Sequence, residues 1–114
     1  MEIRKLESAE HGKTRFLWEK IFKEDSQTFV DYYYFIRTKE NVIYVVEEDG
    51  AIRSMLQKNP YWMKLEDSVF DSEYIVGVAT ETEYRSRGYM RQLLIAALEE
   101  ENKKKHPFTF LMPA

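Results

Sequence analysis

The chain has 114 residues, with 17 Lys plus Arg against 20 Asp plus Glu, a net charge of −3 and no cysteine. That length supports one domain around a single core, and a composition 44% hydrophobic and 15% aromatic is that of a globular rather than a disordered protein. The totals exclude a disulfide scaffold, a thiolate zinc site and a cysteine nucleophile, and the missing basic excess argues against nucleic acid or an anionic membrane as partner.

In chain order, "MEIRKLESAE" has no apolar h-region and no run reaches membrane-spanning length, so a cytoplasmic protein is expected. Residues 2–6 read as a short strand. Ser8 is the expected cap of a helix from Ala9, with Leu17, Trp18, Ile21 and Phe22 on one face. Asp25 or Ser26 caps a second helix, in which Phe29, Tyr32, Tyr33 and Ile36 recur at helical spacing. "NVIYVVEEDGAIRSMLQ" is a hairpin turning at Asp49-Gly50. Asn59-Pro60 interrupts or ends its second strand, and a looser turn is expected near Glu66–Asp67.

"EYIVGVAT", residues 73–80, is the strongest strand, apolar nearly throughout and expected to be buried on both faces. A helix follows, with Met90, Leu93, Leu94, Ala97 and Leu98 as its apolar stripe and Glu99, Glu100 and Glu101 placed to pair with Lys103, Lys104 and Lys105. Pro107 ends it, and "FTFLM" is a last strand. The order β-α-α-β-β-β-α-β makes an α/β fold with a mixed sheet in one domain over residues 1–114.

The unit "TETEYRSRGYMR" between strand and helix carries the chemistry. A helix start leaves backbone N–H groups unpaired, with roughly +0.5 of a charge, and phosphate is its commonest guest. Gly88 lets a phosphate approach without a Cβ in the way, and Arg85, Arg87 and Arg91 add charge there. The P-loop and GxGxxG patterns are both absent. Gly77, inside the preceding strand, marks a bulge that would free backbone groups along Val78, Ala79 and Thr80. An amide-bearing pantetheine arm can pair with such a strand while its pyrophosphate sits on the helix start, which suits coenzyme A better than a nucleotide alone.

"YIVGVATETEYRSRGYMRQLL" resembles the acyl-CoA motif of the GNAT N-acetyltransferase superfamily, R/Q-x-x-G-x-G/A, and within it the branch of the enhanced-intracellular-survival aminoglycoside acetyltransferases. The resemblance spans residues 42–114, including "NPYWMKL" and "PFTFLMPA"; over residues 1–41 only the order of elements agrees. It implies the GNAT (acyl-CoA N-acyltransferase) fold, with its final strands lying beyond residue 114. It also implies acetyl-CoA as donor and acetyl transfer to a primary amine of a small-molecule acceptor. By resemblance Val78, Ala79 and Thr80 offer backbone groups to the pantetheine, Ser86, Arg87, Gly88, Tyr89, Met90 and Arg91 wrap the pyrophosphate, and Ala114 lies near the cofactor. Met90 departs from the Gly or Ala of the general motif, and Arg85 divides evenly between ligand contact and holding the loop.

The remaining candidates have plainer readings. In "YYYF", Tyr33 and Tyr32 are expected to pack in the core, while Tyr34, Phe35 or Trp18 could border the acceptor. His11 and His106 lack a catalytic partner at a recognisable spacing, and no metal constellation exists. Glu73 and Glu81 are the nearest candidates for proton transfer, though each reads first as an ordinary surface charge; the branch's own acid and base fall outside this sequence. A second reading is a non-catalytic acyl-CoA-binding or assembly module completed by a partner chain, through the edge beside "FTFLM", with a homo-oligomer expected. A third is a nucleotide-phosphate binder using the same loop.

Overall fold

The computed structural model describes residues 1–65, 68–104 and 109–111, with side chains described for residues 1–60 and 75–100. Strands β1 (Glu2–Lys5), β2 (Val42–Glu48), β3 (Ala51–Leu65), β4 (Ser68–Thr80) and β5 (Thr109–Leu111) form one sheet in sequence order. The first four are antiparallel neighbours and β5 runs parallel to β4. Helices α1 (Arg15–Ile21) and α2 (Gln27–Ile36) cover one face, and α3 (Tyr89–Lys104) covers the other. The order is the one read from the sequence, and the sheet is mixed.

Alternation along β2 divides the core in two. Ile43 and Val45 join Leu17, Trp18, Val30, Tyr33 and Met55 beneath α1 and α2. Tyr44 and Val46 join Leu56, Ile75, Tyr89, Leu93 and Ala97 beneath α3. The period of two in the strand thus serves both layers at once. Asp49 and Gly50, both at positive φ, close the β2–β3 hairpin as an Asp-Gly dipeptide does.

The first expected helix is split. A 3-10 helix spans Ser8–Thr14 and α1 begins only at Arg15, with Glu7 rather than Ser8 at the cap position. The Glu7 amide donates to Glu10 Oε1 at 3.3 Å, and Thr14 Oγ1 donates to His11 O at 2.8 Å. Such local side-chain bonds compete with the α ladder. The cap of α2 is Ser26, whose Oγ accepts the Phe29 amide at 3.1 Å. Its buried residues are Val30 and Tyr33, whereas Phe29, Tyr32 and Ile36 of the expected face are half exposed. Only one side of α2 meets the sheet, and Tyr33 anchors it there.

Pro60 does not end β3. Pairing with β2 stops at Val42↔Lys58, so among the described residues the strand beyond Lys58 has a neighbour on one side only, where a missing N–H is tolerated. The two strands re-register as far as Leu65↔Ser68, while the expected turn at Glu66–Asp67 lies outside the described residues. Glu100 reaches Lys5 Nζ at 2.8 Å across the fold; the Lys103–Lys105 side chains, Pro107 and His106 lie outside the described side chains.

The register of β3 with β4 slips between Met55↔Ala79 and Gln57↔Val76, which leaves one extra residue on β4. Gly77 sits there at φ +62, and a Cβ built on it would lie 2.5 Å from Trp18 Cζ3. Val76 and Gly77 therefore face the α1–α2 side in succession, and alternation resumes with Val78 toward α3 and Ala79 toward α1.

Two outcomes are expected from this packing. Gly77→Ala should cost about 2–4 kcal/mol in urea unfolding, combining positive-φ strain with overpacking against Trp18. Gly50→Ala, at φ +78 with nothing within 4 Å, should cost only about 1–2 kcal/mol; equal costs would remove the role given to the indole. The second concerns pH. The Arg4 guanidinium, bonded to Glu10 at 2.7 and 3.1 Å, holds the Glu10 carboxyl down at about 2, with further help from the Glu7 amide. A depressed carboxyl contributes stability that is full above its unfolded value, 4.5, and is lost as pH falls through about 2. The urea midpoint should therefore fall over that window, less steeply in Glu10→Gln; parallel profiles would contradict the assignment.

Candidate functional site

A cleft of about 660 Å³ opens where β4 runs out and α3 begins. Its floor is Val78, Ala79 and Thr80, and its rim is Arg85, Ser86, Gly88, Tyr89, Met90 and Arg91. Tyr84, Ile21, Leu94, Ile95 and Leu98 complete the lining. Nine of the ten residues singled out from the sequence meet there. The tenth, Arg87, turns away: its Nη1 lies 3.3 Å from Glu48 Oε2, and its guanidinium stacks 4.6 Å from the centre of the Tyr84 ring.

Local geometry explains the rim. Gly88 has φ +79, and its carbonyl accepts the Gln92 amide at 3.1 Å, so it occupies the cap position of α3. A glycine there supplies the left-handed backbone and carries no side chain to occupy the first-turn amides of Tyr89, Met90 and Arg91. Apart from its own neighbours along the chain, nothing described lies within 4 Å of where its Cβ would be. Ser86 also has positive φ, +65. These donors and Arg91 face one opening, an arrangement suited to an anion.

The floor follows from the bulge and from the end of β5. Parallel pairing of β4 with β5 stops at Ile75↔Leu111, so among the described residues 76–80 have no strand on that side. Their backbone is less free than the sequence suggests. Ala79 O accepts from Ser54 Oγ at 3.1 Å, and Thr80 O accepts from Arg85 Nε at 3.2 Å. Arg85 thus holds the loop as well as lining the cleft. Ser54 and Thr80 share a further hydroxyl bond at 2.8 Å.

The apolar stripe of α3 divides into two adjacent ridges. Tyr89, Leu93 and Ala97 are buried against the sheet, while Met90, Leu94 and Leu98 turn to the cleft, beside the exposed Ile95. Met90 is half-buried and lines the cleft. Ile95 and Leu98, about half exposed at 45% and 51%, leave that wall open to an apolar ligand portion. The stripe was legible, but Ile21 and Tyr84 were not, because nothing in the sequence brings the end of α1 to this opening.

Glu81 is pinned. Lys20 Nζ at 2.6 Å and Arg53 Nη1 at 3.0 Å hold it, and these two cations keep its carboxyl below the ordinary glutamate value. A carboxylate stabilised in that way is a poor proton acceptor, so the geometry counts against Glu81 as a general base. The Glu73 side chain and Ala114 lie outside the described residues. The Tyr84 hydroxyl donates to Asp49 Oδ2 at 2.7 Å, and that carboxylate, with partial burial, raises the phenol above its usual range.

The aromatic candidates do not gather at the cleft. Trp18 is in the core against Gly77 and stacks on Tyr33 at 4.4 Å between centroids. Tyr34 bonds Thr14 at 2.8 Å and Gln57 at 3.1 Å, while Phe35 is exposed beneath Lys39. His11 is buried, its Nδ1 2.7 Å from Thr38 O, which gives it a structural place. Among the described residues no group of three His, Asp or Glu could hold a metal ion. Among them, too, no helix is long and apolar enough to cross a membrane.

The fold matches a conserved protein of Enterococcus faecalis described as a probable N-acyltransferase, with TM-score 0.87 and 18% identity over 98% of this chain and 29% of that one. It matches a "predicted acetyltransferase with acetyl-CoA" from Clostridium acetobutylicum, with TM-score 0.80 and 13% identity over 99% and 80% of the two chains. It also matches the enzyme AAC(6')-Iy in complex with a bisubstrate analog, with TM-score 0.78 and 14% identity over 99% and 79%. The chain therefore spans under a third of the Enterococcus protein and about four-fifths of the other two. No curated protein matches it in sequence. A family model described as an acetyltransferase (GNAT) domain matches residues 2–114. The chain belongs to the GNAT acetyltransferase family.

Proposed function

We propose that this chain is the acyl-CoA-binding, N-terminal part of a GNAT N-acetyltransferase, carrying acetyl from acetyl-CoA to a primary amine of a small molecule. The observation that supports this most is the cleft itself: a strand edge, an uncapped helix start and an apolar wall in one opening. A pantetheine arm pairs with the backbone of Val78, Ala79 and Thr80 and runs past Leu94. The pyrophosphate rests on Ser86, Gly88 and the amides of Tyr89, Met90 and Arg91, with the Arg85 and Arg91 side chains adding charge. Gly77 and the missing β5 partner suit an amide-bearing ligand better than a bare nucleotide.

In this reading the amine nitrogen attacks the thioester carbon in a ternary complex. The C–S bond breaks, the new amide forms, and the leaving thiolate takes a proton while the amine gives one up. The chain's own part is to fix the donor at the bulge. The reading places the protein in the branch resembling the enhanced-intracellular-survival acetyltransferases, on the strength of "GVAT…YRSRGYMR". A cytoplasmic location is part of the proposal. A second reading, a donor-binding module completed by another copy, is favoured by β5, which pairs β4 on one side and no other described strand; in it the protein is a homo-oligomer.

Isothermal titration with acetyl-CoA, 3′,5′-ADP and a Gly88→Glu variant tests the donor site. Wild-type protein should bind acetyl-CoA at micromolar Kd and the nucleotide more weakly. Gly88→Glu should lose at least about 100-fold, since the carboxylate repels the pyrophosphate and the residue must hold positive φ. Equal binding by the variant would move the anion elsewhere, and equal affinity for the nucleotide would remove the pantetheine.

A further inference from the structure

The loop between β4 and α3 is tied to the β2–β3 hairpin by a layered charge cluster that the donor site does not itself require. Tyr84, at the end of a 3-10 turn over Thr82–Tyr84, has two guanidiniums over its ring. Arg53 of β3 lies 4.5 Å from the ring centre and Arg87 lies 4.6 Å from it. Each cation is in turn anchored on the hairpin. Arg53 Nε donates to Glu48 O at 3.0 Å and Nη1 to Glu81 at 3.0 Å, and Arg87 pairs with Glu48 at 3.3 Å. The Tyr84 hydroxyl bonds Asp49, and the Glu81 amide donates to Arg53 O at 2.7 Å. Hairpin carboxylates, stacked cations and phenol thus converge on the segment that leads directly into Ser86 and Gly88.

We infer that Tyr84 is a positioning residue for the anion-binding loop, and that Arg87 acts on the bound ligand through Tyr84 and Glu48 rather than by touching phosphate. This rests on the acetyl-CoA reading of the cleft. Two guanidiniums already engage the Tyr84 ring, at 4.5 and 4.6 Å from its centre. Arg87 is outside the cleft lining, and its charge is already met by Glu48. Ser86 lies between Arg85, which bonds Thr80 O, and Arg87, which bonds Glu48, and its backbone is held at positive φ. Two arginines fix the loop on either side of that residue, so the rim amides hold one arrangement before ligand arrives. Preorganised donors bind an anion without the cost of ordering the loop.

The test is a double-mutant cycle in acetyl-CoA affinity, with Tyr84→Leu, Arg87→Met and the pair combined, beside Tyr84→Phe. Each of the two single changes should raise Kd about 10-fold, and the combination should do no worse than either alone, because both remove one clamp. Tyr84→Phe keeps the stack and should stay within about 3-fold of wild type. The dependence of Kd on salt should be unchanged in Arg87→Met, since no phosphate contact is lost. Additive losses, or a shallower salt dependence in Arg87→Met, would make Arg87 a direct phosphate ligand and overturn the inference. Arg87 is exposed, so its variant reports even if Tyr84→Leu unfolds. A wild-type protein that did not bind acetyl-CoA would overturn the cofactor reading itself, a result distinct from any failure among the variants.

Discussion

The indole of Trp18 fills the notch left where Gly77 has no side chain, and the shape of the cleft depends on that contact. The extra residue on β4 turns two successive positions toward α1, then returns the strand to its alternation. Without it, Val78 and Ala79 would exchange faces, and the cleft floor would present the wrong side chains. A large aromatic ring is what a bulge glycine needs above it, because an empty notch there would be a core void. Tyr33 stacks on the same indole, so α1 and α2 are both registered against the bulge.

A second level of organisation is electrostatic and lies at the surface. The protein carries a net charge of −3, yet the loop into α3 gathers Arg85, Arg87 and Arg91. The structure divides their work: Arg85 is bonded back to Thr80 O, Arg87 is held by Glu48, and Arg91 lies on the rim. Glu81 belongs to this scaffold as well, bridging Lys20 of α1 to Arg53 of β3. Isolated exposed pairs contribute little, about 0–1 kcal/mol each. Their value here is geometric, since several of them converge on one short loop.

The order of elements, the Asp49-Gly50 turn, the Ser26 cap and the strand–loop–helix unit were legible in the sequence because local rules govern them. Ser26 needs only its own hydroxyl and the amide three residues on. Gly88 advertised its role because few residues tolerate its backbone. What failed was non-local. The face of α2 was only partly right: Tyr33 is buried as its spacing suggested, but the sheet meets Val30 beside it, while Phe29, Tyr32 and Ile36 keep helical spacing and stay half exposed. Asn59-Pro60 read as an interruption or end of the strand because the place where β2 stops pairing is a tertiary fact. Trp18 read as part of an apolar helix face, with the acceptor border as an alternative, and nothing in its neighbourhood announces a glycine on β4 as its contact. Arg87 and Arg91 flank the same glycine in sequence, and only the hairpin carboxylates separate their roles.

The central claim is that one bulged strand edge and one uncapped helix start receive a single amide-bearing diphosphate ligand. Amide hydrogen exchange with and without acetyl-CoA tests it most directly. The account expects new protection at Val78–Thr80 and at Tyr89–Arg91 together, with little change along β1 and α2. Protection at the helix start alone would reduce the ligand to its phosphates, and protection at neither would contradict the account.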